Sequence, residues 1–389
     1  MKPSEFETLI SDQAYYKSWK PPGELWKTIE SGGQTHEIWR ASLADLAVQQ
    51  MLKRIQILVP LFIEGGSLID LDEPEWSLER WTVFFLYAKT GLSHSPYMFM
   101  GYSTVYRYFL YQPITLTTSL EKKRATQQQA TFDFQLPVTE KVPFSSLPCR
   151  SRISQFVILP PFQRGGNGSR FYNAIFEFYF KQPQTIEITV EDPNAEFDDL
   201  RDINDLTYLR TIPEFTALKI NHNAIARSKG LVPRDILDLD ELEKLRVKVK
   251  IAPRQFYRVV EMQLLSLIPL GVRKSQLIKR PTATGAELKA LQHIYHLWQL
   301  FVKKRLYRHN KDTLMQLDRA ERIDKLEDAL GSVEIDYARL LDAADSRSRA
   351  NAKSDGASMN GTGNETAKRS SPDEAGEEPA SKKIKLTEA

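Results

Sequence analysis

The chain is poor in cysteine, in long apolar runs and in excess charge of either sign. A single cysteine, Cys149, among 389 residues excludes a disulfide framework and any cysteine-rich zinc module. The formal net charge is +3, from 53 basic against 50 acidic residues, so the positive excess of a protein that clings to nucleic acid is absent. No uninterrupted apolar run approaches the roughly 18 residues of a membrane span. The start, Met1-Lys2-Pro3-Ser4-Glu5-Phe6-Glu7, lacks the apolar stretch of a signal peptide. Together these absences predict a soluble protein of a reducing compartment. What remains is an ordinary globular mixture, 41% hydrophobic, 10% aromatic and 26% charged. It can bury a sizeable core, and at about 150 residues per domain the length predicts two domains plus a remainder.

Residues 1 to 40 combine Trp19, Trp26 and Trp39 with the turn formers Pro21-Pro22-Gly23 and Gly32-Gly33, and read as loops and short strands. From Leu43 the apolar positions Ala47, Met51, Ile55, Leu58 and Phe62 recur every three or four residues, the stripe of one amphipathic helix that runs out near Pro60. Strand signals follow at Trp81 to Ala88 and Tyr97 to Tyr111, while residues 121 to 150 read as a long connection. A compact unit comes next: a strand from Ile153 to Leu159, a Pro-Gly loop, a helix from about Gly168 to Lys181 and a strand from Thr185 to Glu191. That order is a βαβ crossover and predicts a parallel pair. Beyond Pro193 the chain turns helical, punctuated by Pro213, Pro233, Pro253, Pro269 and Pro281, with two longer helices across 286 to 342. Residues 343 to 389 contain no aromatic residue and are predicted to form a disordered tail. Its clusters Lys368-Arg369 and Lys382-Lys383-Ile384-Lys385 have the spacing of a bipartite nuclear import signal.

The segment richest in chemistry is Gln163-Arg164-Gly165-Gly166-Asn167-Gly168, between a strand and a helix. A glycine-rich loop at a helix start lets backbone N–H groups converge on one spot with the positive end of the helix dipole behind them, which suits a phosphate or pyrophosphate. A plain tight turn would use the same glycines for their dihedrals alone. A P-loop needs Gly-Lys-Ser/Thr, and Ser169-Arg170 does not supply it. A dinucleotide fingerprint wants a third glycine where Phe171 stands, although Glu187 or Glu191 could serve as its acidic residue, so that reading is weakened and stays open. The pattern Gln/Arg-x-x-Gly-x-Gly for the pyrophosphate of coenzyme A fits without a gap. The next strand ends in Glu191-Asp192-Pro193-Asn194. A partly buried glutamate there could take the proton from an attacking amine, whose solution pKa is about 10.4. Glu191 is the candidate base and Asp192 its support, against the alternative of a strand end and Asx-Pro turn.

The chain resembles the catalytic subunit of type B histone acetyltransferases, within the Gcn-related N-acetyltransferase (GNAT) superfamily. The resemblance is carried by Phe62-Ile63-Glu64 with Ser67-Leu68-Ile69-Asp70, by Gly101-Tyr102-Ser103-Thr104-Val105-Tyr106, and by Arg152-Ile153-Ser154-Gln155. It continues through Pro161-Phe162-Gln163, Glu191-Asp192-Pro193 and Leu200-Arg201-Asp202, and covers roughly residues 15 to 340. It implies an α/β fold with a mixed central sheet and flanking helices. The expected division is a remnant of the family's N-terminal region at 1–40, an acetyl-CoA-binding domain at 41–212, a helical C-terminal domain at 213–342 and the tail. It also implies acetyl-CoA as cosubstrate, no metal, and lysines of the histone H4 tail, presented with H3, as acceptors. Phe156, Val157 and Ile158 would offer backbone hydrogen bonds to the pantetheine and thioester. Gln163, Arg164, Gly165, Gly166, Asn167, Gly168 and Ser169 would wrap the pyrophosphate, and Asn194 would touch the cofactor. Glu191 matches the general base, and Glu64 and Asp192 the assisting carboxylates. Trp76 and Tyr106-Arg107-Tyr108 match positions that contact the histone tail, and the acidic run Asp70, Asp72, Glu73 and Glu75 could attract it.

A β-propeller (WD-repeat) histone chaperone is the implied partner, with no direct nucleic acid and no membrane, in nucleus and cytoplasm. The resemblance also implies a further N-terminal region, ahead of the segment matched by residues 1 to 40, that contributes to histone binding in the family. A non-catalytic histone-binding subunit and a dinucleotide-binding oxidoreductase are the alternatives. Cys149 is discounted as an acyl carrier because it reads as a loop residue without a nearby histidine. His293 and His296 share a helix face but lack a third ligand, and Phe171, Tyr172, Phe176, Phe178, Tyr179 and Phe180 read as core packing for the crossover helix.

Overall fold

The computed structural model describes residues 19–92, 96–110, 147–224, 232–233, 235–273 and 285–359. Among these, six strands form one mixed sheet in the order of the sequence: β1 (Glu24–Ser31), β2 (Gln34–Ser42), β3 (Trp81–Lys89), β4 (Tyr97–Phe109), β5 (Cys149–Ile158) and β6 (Thr185–Val190). Each neighbouring pair is antiparallel except β5 and β6, which are parallel as the crossover predicts. Gly32 and Gly33, both at positive φ (59° and 75°), turn β1 into β2, the conformation that matches the twist of a two-residue hairpin. β2 then pairs with β3 from His36 to Ser42, so the N-terminal strands belong to the central sheet and the boundary expected at residue 40 falls inside β2.

Alternation along β3 sorts its side chains into two cores. Val83, Phe85 and Tyr87 face one layer, where they meet Val48 and Leu52 of α1 (Leu46–Ile55), Val59 and Leu78. Phe84, Leu86 and Ala88 face the other, built on α2 (Asn167–Lys181) through Phe171, Ile175 and Tyr179. Burial on both faces explains why this strand reads as a continuous apolar run. The single helix expected from Leu43 to Pro60 is divided. α1 starts at Asp45, whose carboxylate accepts the Ala47 N–H at 2.8 Å, and stops at Ile55. Pro60 has no N–H to give the Gln56 carbonyl, and the Val59 N–H takes that acceptor instead at 3.0 Å, opening a separate turn from Leu58 to Phe62.

The remaining long helices are α3 (Ala195–Leu209), α4 (Leu239–Val249), α5 (Pro253–Ser266), α6 (Gly285–His309) and α7 (Arg319–Met359). Pro253 opens α5, where its missing N–H costs nothing. Trp298 on α6 and Tyr337 and Leu340 on α7 share one apolar cluster with Phe84 and Phe171, so the core runs across the division expected at 212/213. Cys149 is the buried first residue of β5 rather than a loop residue, and burial pushes its thiol up. The chain separates into two units, Met1–Ala344 and Asp345–Ala389. α7 continues to Met359, past the boundary expected at 342, and five of the seventeen residues from 343 to 359 are Ala, the best helix former. The two basic clusters lie outside the described residues, as does most of the connection expected at 121 to 150.

A buried polar network fastens α3 to its neighbours. Asp202, fully buried, accepts from Arg258 Nε at 2.6 Å and from Gln255 at 2.9 Å. Asp205 accepts from Tyr172 at 2.8 Å and from Gln255 at 3.0 Å. Burial pushes the Asp205 carboxyl up to about 6, against the pull of Arg201. Arg258 also reaches Asp336 of α7 at 2.8 Å, and Arg339 grips Asp199 with two bonds of 2.6 and 2.7 Å. Replacing Arg258 by Ala strands the Asp202 carboxylate, and a loss of roughly 3 kcal/mol is expected at neutral pH. Urea unfolding at two pH values checks this. The loss should shrink as the pH falls and Asp202, which burial already raises, takes up a proton.

Candidate active site

β5 outruns β6. The parallel ladder ends with Ile153 opposite Val190, and the Glu191 N–H closes it on the Ile153 carbonyl at 2.9 Å. Past that point, among the described residues, β5 continues to Ile158 against β4 alone. The Leu159 N–H donates to the Met100 carbonyl at 2.9 Å, which fixes the alternation. Val157 turns its backbone to Tyr102 in β4, while Phe156 and Ile158 turn theirs to the side that β6 has left. Ser154 makes this phase possible. Thr104 and Val105 of β4 pair with Gln155 and Ile153, so Ser154 is the extra residue of a bulge. The bulge shifts the alternation by one, and Ile153, Phe156 and Ile158 all pack toward the α2 core while Val157 joins the α1 core. Gly101 faces Ile158 across the ladder, and a Cβ there would lie 2.1 Å from the Val157 carbonyl oxygen.

Below the open edge lies the glycine-rich loop. The Gln163 side chain donates to the Ile158 carbonyl at 2.8 Å and ties the loop to the end of β5. Arg164 and Gly166 adopt positive φ of 65° and 76°, and α2 begins at Asn167. Gly166 occupies the N-cap without a side chain, and among the described residues no side-chain acceptor covers the first-turn amides of α2. Asn167 donates to the Phe162 carbonyl at 2.9 Å, and Arg170 to the Gly165 carbonyl at 2.6 Å, so side chains turn inward to brace the loop. Gly168 meets Leu200, and the Ser169 hydroxyl accepts from Asn204 at 3.0 Å, which pins α2 to α3. Asn194 caps α3 by accepting the Phe197 N–H at 2.9 Å.

The Glu191 carboxylate stands at the mouth of the open edge. It accepts from the Ser154 hydroxyl at 2.6 Å, and the Arg152 guanidinium lies 3.7 Å from its other oxygen. Glu191 is exposed rather than partly buried as expected. Asp192 follows at φ 34°, a left-handed turn that rotates the chain out of β6 toward α3, and it borders a cavity of about 410 Å³ with Asp198, Arg201 and Arg258. Glu64 is exposed in the loop after the Leu58–Phe62 turn. That loop is fastened to β5 where Gln155 Nε2 donates to the Ser67 carbonyl at 2.9 Å. Consecutive residues of β5, Ser154 and Gln155, thus hold the segments that carry Glu191 and Glu64.

Tyr106 is paired in register with Arg152, one step from Glu191. Trp76, 54% exposed, lies under the Arg80 guanidinium at 4.8 Å, and Arg80 donates to the Tyr106 hydroxyl at 3.2 Å. Tyr108 is exposed two residues along the same strand, and Arg107 donates to the Glu79 carbonyl at 2.9 Å. Asp70, Asp72, Glu73 and Glu75 are exposed ahead of Trp76. Sequence reasoning placed Trp76 and Tyr106 together but missed Arg80, which joins them. The available signal was a cation four residues after Trp76 at a short helix. His293 meets the His222 carbonyl oxygen at 3.1 Å, and among the described residues no group of three or more His, Cys, Asp or Glu is placed to hold a metal.

Residues 1–64 match the family model described as Histone acetyl transferase HAT1 N-terminus, and residues 234–267 match that of Fungal HAT1, C-terminal. The histone acetyltransferase type B catalytic subunit of Gibberella zeae is 46% identical over 353 residues, which covers 88% of this chain and 71% of that protein. The same subunit of Pyricularia oryzae is 46% identical over 353 residues, covering 90% and 72%. That of Neurospora crassa is 42% identical over 369 residues, covering 90% and 70%.

Gly101→Ala is the direct test of the close β4–β5 approach. Overpacking at this point is expected to destabilise the chain by about 1–3 kcal/mol. An unchanged denaturation midpoint would mean that the strands part without cost.

Proposed function

Because this chain belongs to the type B histone acetyltransferase catalytic subunits, we propose that it moves an acetyl group from acetyl-CoA to lysine side chains in the N-terminal tail of histone H4. The observation that carries the reading is the opening between β5 and β6, with Glu191 held at its mouth by Ser154. Acetyl-CoA supplies the activated acyl group as a thioester. Among the described residues, three features fit such a ligand: a strand edge at Phe156 and Ile158 that no further strand joins, a loop tied to the Ile158 carbonyl by Gln163, and a helix start at Asn167 with no side-chain cap. The strand edge suits the amide-bearing pantetheine arm, and the helix start suits the pyrophosphate.

The proposed reaction is direct attack in a ternary complex: the lysine nitrogen bonds to the thioester carbon, the carbon–sulfur bond breaks, and coenzyme A leaves as the thiolate. Glu191 takes the proton of the incoming lysine, and the Ser154 hydroxyl fixes the orientation of its carboxylate. Asp192 and Glu64 assist by their charge. The Ile158 N–H, turned to the opening, can stabilise negative charge developing on the thioester oxygen. Arg164, Gly165, Gly166 and Gly168 shape the pyrophosphate loop, whereas Val157 and Ser169 serve it from within, through the β4 ladder and through Asn204. Asn194 contributes by capping α3. Trp76, Tyr106, Arg107 and Tyr108 with the acidic run form the proposed tail-binding surface, whose aromatic rings and carboxylates complement a lysine-rich segment. Histone H3, a WD-repeat chaperone and residence in nucleus and cytoplasm complete the proposal, on the strength of the resemblance.

Transfer from labelled acetyl-CoA to an H4 tail peptide tests the activity. Glu191→Gln is expected to lower kcat by about 10² or more and to keep acetyl-CoA affinity, with a smaller loss for Ser154→Ala. Wild-type turnover in Glu191→Gln would move the base to another carboxylate. Absence of acetyl-CoA binding in the wild-type chain would overturn the proposal.

A further inference from the structure

The Glu191 side chain is anchored at its root and open around its end. Its backbone N–H is held by the Ile153 carbonyl at 2.9 Å, which fixes the root against β5. Beyond that, among the described residues, two groups of β5 meet the carboxylate. The Ser154 hydroxyl lies 2.6 Å from Oε2, and Arg152 Nη1 lies 3.7 Å from Oε1. Each oxygen therefore has its own neighbour. The Arg152 backbone is clamped from both sides, paired with Tyr106 in β4 and with Thr189 in β6. Among the described residues Glu191 is the partner of its guanidinium, which spends none of its N–H groups on a hydrogen bond there.

With the Arg152 and Glu191 side chains 45% and 44% exposed, this pair contributes little to stability, because water screens it and two long side chains lose freedom in making it. The fold therefore gives no reason for a cation at position 152. A separation of 3.7 Å is short enough for attraction and too long for a hydrogen bond. Arg152 thus draws Oε1 without taking up its lone pairs, which stay open to a proton from an amine. Ser154 does take up a lone pair, on the other oxygen. One oxygen is fastened and the other is aimed.

We propose that Arg152 is a positioning residue of the acetyl transfer. Together with Ser154 it sets the rotation of the Glu191 carboxylate, and it turns Oε1 to the face of the sheet that Arg152 shares with Tyr106, its partner across the β4–β5 ladder. The inference rests on Glu191 being the base. Attraction at this distance needs a charge in place rather than the fork of a guanidinium, so a lysine should serve in its stead.

Transfer from labelled acetyl-CoA to the H4 tail peptide tests it, in the wild type, Arg152→Gln, Arg152→Lys, Glu191→Gln and the double variant Arg152→Gln/Glu191→Gln. Arg152→Gln is expected to lower kcat about tenfold, while the peptide KM, the acetyl-CoA affinity and the thermal midpoint stay as in the wild type. Arg152→Lys should restore most of the loss. In the Glu191→Gln background the Arg152→Gln change should cost nothing further, because a residue that acts through the carboxylate has nothing left to position. An equal loss of kcat in both backgrounds would overturn the inference. So would a raised peptide KM at unchanged kcat, which would make Arg152 a contact to the substrate. Full activity of Arg152→Gln beside an impaired Glu191→Gln would overturn this inference and leave the base in place. Wild-type turnover in Glu191→Gln would remove the base, and the inference with it.

Discussion

A strand that outruns its neighbour leaves backbone donors and acceptors with no ladder to join, and such groups are costly unless water or a ligand meets them. In this chain the imbalance is small and placed with care: β6 stops at Val190, β5 runs on to Ile158, and the segment between them leaves by the left-handed turn at Asp192. Everything else at the site is arranged around that gap. The glycine-rich loop hangs from its lower end through Gln163, and the Glu191 carboxylate is fixed at its upper end through Ser154. On the other side of β5, Gly101 lets β4 approach the Val157 carbonyl closely.

The helical half of the molecule makes the gap durable. α3 begins directly after the Asp192 turn, and it is held from below by Tyr172 of α2, from the side by Gln255 and Arg258 of α5, and by Arg339 of α7, while Asp336 of α7 accepts from both arginines. Two carboxylates buried in one helix are an expensive way to build a contact. Their cost is met only because a cation or several donors reach each of them. That design discourages slippage, since a shifted helix would strand a charge rather than merely loosen an apolar contact.

Much of this was legible in the sequence, and the parts that were not share a cause. Alternation along β3 and the βαβ order reported the sheet, because burial imposes a period that composition reveals. The glycines at 165, 166 and 168 reported the loop. Glu191 was legible as a strand-end carboxylate, but its exposure was not, since exposure depends on where β6 stops relative to β5. The division of the helix at Gln56 was signalled by Pro60 and underread. The continuation of α7 past 342 was hidden because a polar, aromatic-free stretch resembles an unstructured tail when helix propensity is ignored. Arg80 and Ser154 escaped because their roles arise from neighbours distant in sequence: Tyr106 for one, Glu191 for the other.

The bulge at Ser154 gives this protein something like a reading frame. Side chains of β5 could be exchanged one at a time with local effects. Loss or gain of a single residue between Ile153 and Phe156 would instead invert every position that follows. Val157 would turn out of its core, Phe156 and Ile158 would direct their amides into β4, and the open edge would offer the wrong groups. Variation along this strand is therefore expected to be rich in substitutions and barren of insertions, with the count of residues kept more strictly than their identities.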